Sequence, residues 1–173
     1  NEHGPQEARK LGLKIVAPKL PELVERLLEQ KRDHQLVVFC WRGGDRSHAV
    51  AHLLDMMHIP CFRLVGGYKA YRQYVNKQLH EERLPHRFIV LHGLTGTGKT
   101  EILRELEKRG YPVLDLEGLA NHRGSVFGSV GLGEQPSQKK FESMIWHHIR
   151  NFKQDNLLIV EGESKKIGRL YVP

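Results

Sequence analysis

Apolar residues at Leu20, Leu23, Val24, Leu27 and Leu28 recur at the three-and-four spacing of one helix face, and Pro21 suits the first turn of such a helix. A short apolar run, Leu36 to Phe39, follows between polar flanks and predicts a buried strand of the kind found in parallel sheets. Val50, Leu53, Leu54 and Met57 restore the helical spacing until Ile59-Pro60 breaks it. Cys61 to Val65 then predicts a strand, Gly66-Gly67 a turn, and Tyr68 to Leu79 a helix. After a charged, proline-bearing stretch the alternation begins again. Phe88 to Leu91 predicts a buried strand and Lys99 to Arg109 a helix with Gly110 as its C-terminal cap. Val113 to Leu116 predicts a strand and Gly118 to Gly133 a long glycine-rich loop. Ser137 caps a helix carrying Phe141, Ile145, Ile149 and Phe152 on one side, and Leu157 to Val160 is the last strand.

Strands alternating with helices predict an α/β architecture twice over. The expected organisation is a first domain over residues 1–82, a linker at 83–87 and a second domain over 88–173. There are no internal repeats and no low-complexity tracts.

Composition narrows the setting. The 173 residues include 39% hydrophobic residues, enough for a packed core. No apolar run approaches the roughly 18 residues that span a membrane, and Asn1-Glu2-His3-Gly4-Pro5 lacks the apolar stretch of a signal peptide, so the expected setting is the cytoplasm, without a membrane partner. Two cysteines, Cys40 and Cys61, are too few for a disulfide scaffold, and no C-x-x-C pair marks a zinc site. Lys plus Arg outnumber Asp plus Glu by 27 to 20, a net charge of +7, which suits a polyanion such as RNA as well as an ordinary basic surface.

Two segments carry chemistry. The first is Cys40-Trp41-Arg42-Gly43-Gly44-Asp45-Arg46-Ser47, between a predicted strand and a predicted helix. A thiol there lies near helix N-terminal amides, and Arg42 and Arg46 add cations; both favour thiolate. Gly43 and Gly44 let successive N–H groups turn inward around an anion. Cys40 is therefore expected to be a nucleophile or a carrier of a chalcogen atom, against the plainer reading of a buried cysteine that merely ends a strand. The C-x-x-x-x-x-R spacing of Cys40 and Arg46 is shared by protein tyrosine phosphatases and their rhodanese-like relatives. Leu64-Val65-Gly66-Gly67-Tyr68-x-x-Tyr71 resembles the end of rhodanese domains. Phosphoester cleavage and chalcogen transfer both remain open.

The second segment, Gly93-Leu94-Thr95-Gly96-Thr97-Gly98-Lys99-Thr100, matches G-x-x-x-x-G-K-[ST] between a predicted strand and a predicted helix. Gly93, Gly96 and Gly98 bring backbone N–H groups onto phosphate oxygens, Lys99 reaches the terminal phosphates, and the Thr100 hydroxyl helps hold Mg²⁺. Glu161 or Glu163, at the end of the last strand, stands where a Walker-B acid orients metal-bound water.

Taken in order, the Cys40-Trp41-Arg42-Gly43-Gly44 string, the P-loop, Leu116 to Ser125 (with Ala120-Asn121-His122-Arg123-Gly124-Ser125), Gln135-Pro136-Ser137-Gln138, and Val160-Glu161-Gly162-Glu163-Ser164 with Lys166-Ile167-Gly168 resemble bacterial tRNA 2-selenouridine synthases, a rhodanese domain fused to a P-loop domain. The resemblance covers nearly the whole chain. It implies an enzyme that replaces the sulfur of a wobble 2-thiouridine in tRNA with selenium from selenophosphate, through an S-geranyl intermediate made from geranyl diphosphate. It implies that Cys40 is essential for selenium insertion, and it makes a selenophosphate-supplying enzyme a natural partner. The P-loop, with Arg123, is then expected to cradle a diphosphate, ATP being the competing ligand. The alternatives are a cysteine phosphatase that uses Cys40 and Arg46, and a non-catalytic RNA- or nucleotide-binding module. Measured against the family pattern, both domains are expected to be incomplete: the first lacks an earlier strand and an aspartate-rich segment, and the second is short of strands.

Overall fold

The computed structural model describes residues 4–31, 34–81, 84, 86–94, 96–125, 127–152 and 157–173. The chain forms two compact units, Asn1–Tyr71 and Arg72–Pro173. The division falls inside a helix and not at the 83–87 linker expected from charge and proline. The reason is visible in Arg72, whose guanidinium is paired with the Glu142 carboxylate and donates to the Lys139 carbonyl at 3.1 Å and to Asn76 Oδ1 at 2.7 Å. Residue 87, expected in the linker, already belongs to a strand, while residues 83 and 85 lie outside the described residues.

In the first unit the elements run α1 (Gly4–Val16), a 3₁₀ turn (Ala17–Lys19), α2 (Leu20–Lys31), β1 (Leu36–Val38), α3 (Asp45–Met56), β2 (Cys61–Arg63) and the start of α4 (Gly67–Asn76). β1 and β2 pair in parallel, Leu36 opposite Cys61 and Val38 opposite Arg63. Val24 of α2, Leu54 of α3 and Ile59 form the buried cluster, with Leu36 and Val38 packed against it. β1 is covered on that face only. Val37 and Phe62, which alternate to the other face, are 54% and 59% exposed, so the fully buried strand expected from the apolar run is half-buried. α1 was not anticipated from the pattern and has no buried residue.

The second unit continues with a π turn (Lys77–Glu81), β3 (Arg87–Leu91), α5 (Lys99–Lys108), β4 (Val113–Leu114), α6 (Leu116–Ala120), α7 (Gln138–Asn151), β5 (Leu157–Glu161), and a small hairpin of β6 (Lys166–Ile167) and β7 (Leu170–Tyr171). The parallel sheet has the order β3-β5-β4. β5 is central, with Leu158, Val160 and Glu161 buried, and β3 lies at an edge. Phe88, Ile89 and Val90 are 41–48% exposed although their sequence reads as a buried strand, whereas Val113 and Leu114 of β4, at the other edge, are buried, so packing on the faces and not edge position alone sets the burial. Phe141, Ile145 and Ile149 of α7 pack on Leu114, Leu158 and Val160, as the helical spacing predicts. Ser137 caps α7 by accepting from the Lys140 N–H, and Gly110, at φ +84°, ends α5. The β6–β7 hairpin was not anticipated; its Ile167 and Leu170 close the core beside α7.

Candidate functional site

Two sites are present, one in each unit. In the first, β1 delivers the chain into the loop Cys40–Gly44, and Gly44 is the N-cap of α3. Cys40 Sγ lies 3.3 Å from Ser47 Oγ in the first turn of α3, and Ser47 Oγ lies 3.0 Å from the Gly44 carbonyl. The Cys40 thiol is lowered from its ordinary 9.0 to about 6. The Ser47 hydroxyl is the largest cause, burial works against it, and backbone hydrogen bonds from Ser47, Arg42 and Gly44 add to the lowering. Arg42 and Arg46, whose charges were expected to favour the thiolate alongside the helix N-terminal amides, have exposed side chains in the same loop and helix. Ser47 is thus the member of the site that sequence reading missed, although it stands one turn into the helix whose N-terminus the cysteine faces.

The loop is braced by the segment that follows β2. Arg63 Nη1 donates to the Gly43 carbonyl at 3.0 Å. The N–H groups of Tyr68 and Lys69 donate to the Cys40 and Trp41 carbonyls at 3.0 and 2.9 Å. The contact is so close that a Cβ on Gly67 would overlap the Cys40 carbonyl oxygen, and Gly43 meets the Gly66 and Gly67 nitrogens in the same way. Glycine is required at both ends of this approach, and Gly43 and Gly67 also hold positive φ values of +69° and +62°.

In the second unit Gly98, in the left-handed conformation, leads into α5 and Gly96 has φ +81°. Lys99 Nζ donates to the Gly93 and Leu94 carbonyls at 2.8 and 3.2 Å, across the P-loop. A cavity of about 650 Å³ opens over Gly96, Gly98, Lys99 and Thr100 and is also lined by Arg104 and Arg123. Gly93 anchors Lys99 but does not line this cavity, and Thr95 lies outside the described residues.

The region expected to be a bare loop from Gly118 begins as a helix. Asp115 caps α6 by accepting from the Gly118 N–H at 2.7 Å. Asn121 ends α6 at φ +49°, and its amide donates to the Gly133 and Glu134 carbonyls at 2.9 and 3.2 Å. Gln135 donates to the Ala120 and Ile167 carbonyls, both at 3.1 Å. These bonds close the glycine-rich segment into the loop that presents Arg123 to the cavity.

Glu117, Glu161 and Glu163 converge at the end of β5, their nearest oxygens all within 4.8 Å of one another. Thr100 Oγ1 donates to Glu117 Oε2 at 3.3 Å, and the Glu117 N–H donates to Glu161 Oε1 at 2.6 Å. Glu161 is 2% exposed and its Oε2 is buried without a hydrogen-bond partner. Burial, followed by the neighbouring carboxylates, pushes Glu161 up to about 7 although the Glu117 N–H opposes this. Burial and then Glu163 raise Glu117 as well. A hydroxyl and three carboxylates with one orphaned buried oxygen fit a hard divalent cation such as Mg²⁺. Glu117 is the member of this carboxylate cluster that sequence reading missed, because nothing in Leu116-Glu117-Gly118 marks it until the fold brings α6 beside the end of β5.

Among the described residues no helix is long and apolar enough to cross a membrane. Residues 86–173 match the family model described as the tRNA 2-selenouridine synthase AAA domain. Proteins named tRNA 2-selenouridine synthase are similar along 99% of the chain: those of Pseudomonas syringae pv. tomato at 38% identity, Hydrogenovibrio crunogenus at 37% and Nitrosomonas eutropha at 34%. The matches cover 47%, 49% and 45% of those proteins, so the chain spans about half the length of the curated relatives it matches. No solved structure matches the chain.

Proposed function

The chain belongs to the tRNA 2-selenouridine synthase family, and on that premise we propose that it carries the two reactive loops of an enzyme that exchanges the sulfur of a wobble 2-thiouridine in tRNA for selenium. The first unit is assigned a rhodanese-like role, with Cys40 required for selenium insertion and Arg42, Arg46 and the backbone of Gly43 and Gly44 receiving the selenophosphate anion. The second unit is assigned the activation of the sulfur. The thio sulfur attacks C1 of geranyl diphosphate, the C–O bond breaks, and diphosphate leaves. Selenium from selenophosphate then bonds to C2 of the base as the C2–S bond breaks and geranylthiol departs. Water cleaves the P–Se bond and releases phosphate, leaving 2-selenouridine without net oxidation or reduction.

One observation favours geranyl diphosphate over ATP at the P-loop. Glu163 lines both the polar cavity over Lys99 and a separate apolar cavity of about 280 Å³ bounded by Phe88, Val90, Leu114 and Val160. The first suits a diphosphate held by Lys99, Arg123 and Mg²⁺ at Thr100, Glu117, Glu161 and Glu163; the second suits an isoprenoid tail. Lys99, Arg123 and the metal site would oppose the charge that develops on the leaving diphosphate.

Nucleoside mass spectrometry of tRNA tests the reading, in cells lacking the full-length protein and complemented with wild type or Cys40→Ser. Wild type restores 2-selenouridine and Cys40→Ser does not. Unchanged 2-selenouridine in the deletion would overturn the proposal. A binding comparison of geranyl diphosphate with ATP decides the P-loop ligand, and tight ATP binding with turnover, unaffected by geranyl diphosphate, would replace the diphosphate role.

A further inference from the structure

Four aromatic rings stand beside the cysteine loop and have no part in the chemistry above. Trp41, the residue after Cys40, has its ring centroid 5.5 Å from that of Tyr68. Phe39, the residue before Cys40, also stacks with Tyr68, at 6.5 Å and 24°. Tyr71 extends the group at 5.9 Å from Tyr68. Phe39 is 54% exposed and Trp41 47%. Single exposed aromatics are ordinary, but rings that touch one another around a reactive thiolate form a contiguous apolar shelf, and such shelves mark binding surfaces. The shelf is fixed to the loop by the Tyr68 N–H on the Cys40 carbonyl and the Lys69 N–H on the Trp41 carbonyl, so whatever rests on it is held in register with Cys40.

The tRNA reading above supplies the chemistry of the occupant, and the inference rests on that reading. We propose that Phe39, Trp41, Tyr68 and Tyr71 receive an unstacked nucleobase of single-stranded RNA, with Trp41 as its principal stacking surface. A base turned out of its stack presents its whole face and its C2 edge to a protein loop, at least cost when it is already single-stranded. An aromatic face replaces the stacking it loses, at little cost in sequence selectivity. Arg42 and Arg46, exposed on the same loop and helix, keep the surroundings of the shelf positively charged, as a polyanionic partner requires. Trp41 is thereby a substrate-positioning residue of the cysteine loop.

The test compares wild type, Trp41→Ala and Trp41→Phe for binding of a labelled anticodon stem-loop RNA with 2-thiouridine at the wobble position. The pH profile of Cys40 alkylation is measured in parallel. Trp41→Ala is expected to weaken RNA binding about tenfold, and Trp41→Phe to recover most of it. The alkylation midpoint is expected to stay near that of wild type in both, because the thiolate depends on Ser47. RNA affinity within twofold of wild type in Trp41→Ala, a shifted alkylation midpoint in that variant, or no RNA binding by wild type would each overturn the inference. Wild type that binds the RNA through Trp41 without any selenium exchange in cells would defeat the proposed reaction and leave the stacking role standing.

Discussion

The Sγ of Cys40 and the Oγ of Ser47 lie 3.3 Å apart across the first turn of α3, and this contact is the largest cause of the lowered Cys40 thiol. The serine hydroxyl is within reach of both the Gly44 carbonyl, at 3.0 Å, and the sulfur, and donation to the sulfur favours the thiolate. With the thiol lowered to about 6, roughly nine-tenths of Cys40 is thiolate at pH 7. Ser47→Ala removes the largest cause of the lowering. The midpoint of the iodoacetamide alkylation profile should move up by a pH unit or more, with the fold intact by circular dichroism. An unmoved midpoint would show that the backbone groups alone hold the thiolate.

Gly67 makes a second prediction about the same loop. A methyl group there would strike the Cys40 carbonyl oxygen and the Gly43 nitrogen at a positive φ of +62°. Gly67→Ala should therefore cost about 2 kcal/mol or more and carry the alkylation midpoint back toward ordinary thiol values. Gly44→Ala is the control, since a Cβ there meets nothing within 4 Å. Equal melting temperatures and equal profiles for the two variants would contradict the close approach.

Asn121, on the wall of the second site's cavity, ties down the loop that carries Arg123. Its left-handed backbone tolerates glycine, while its amide ties α6 to the Gly133 and Glu134 carbonyls. Asn121→Gly keeps the turn and removes the tie. Diphosphate affinity, read by calorimetry, is expected to fall about fivefold while the melting temperature changes little, because one side-chain tie is worth about 1 kcal/mol. Lys99→Ala, which removes a cation from the wall of the same cavity, is expected to lower diphosphate affinity by tenfold or more. Equal effects of the two would argue that the loop merely packs.

Glu161 links pH, metal and stability. Its folded-state value is raised from 4.5 to about 7, so the folded protein holds this proton more tightly than the unfolded chain. The associated stability is fully present below 4.5 and is lost as pH rises through 7. Glu161→Gln keeps an acceptor for the Glu117 N–H and removes the charge, so it should be more stable than wild type at pH 8 by about 1–2 kcal/mol and no more stable at pH 4. Added Mg²⁺ should raise the melting temperature of wild type at pH 8 and leave the variant unmoved. A variant that melts below wild type at pH 8 without metal would refute the assignment.

Much of the second unit was legible in the chain itself. The P-loop declared its strand–loop–helix setting through the spacing of glycines and Lys99, and Ser137, Gly110 and the Phe141, Ile145, Ile149 stripe marked their helix boundaries and buried face, because capping and amphipathic periodicity are local properties. The cysteine loop was equally visible, since a thiol followed by glycines between strand and helix is a local pattern. Strand exposure was not legible: Phe88 to Val90 and Leu158 to Val160 are both apolar runs, and only sheet order makes one an edge and the other the centre.

What the sequence by itself determined is which residues stand within one local segment of the chain, and hence the two loops and the family to which they belong. What tertiary structure decided is every partnership between segments. Gly67 reaches Cys40 only because β1 and β2 pair in parallel and bring the following turn against the loop. Glu117 reaches Glu161 and Glu163 only because β4 lies beside β5 in the sheet and α6 starts where β4 ends. The reason is physical: hydrogen-bond periodicity acts over a few residues and leaves a trace in spacing, whereas burial, close approach and the pKa shifts they cause depend on neighbours that share no sequence interval.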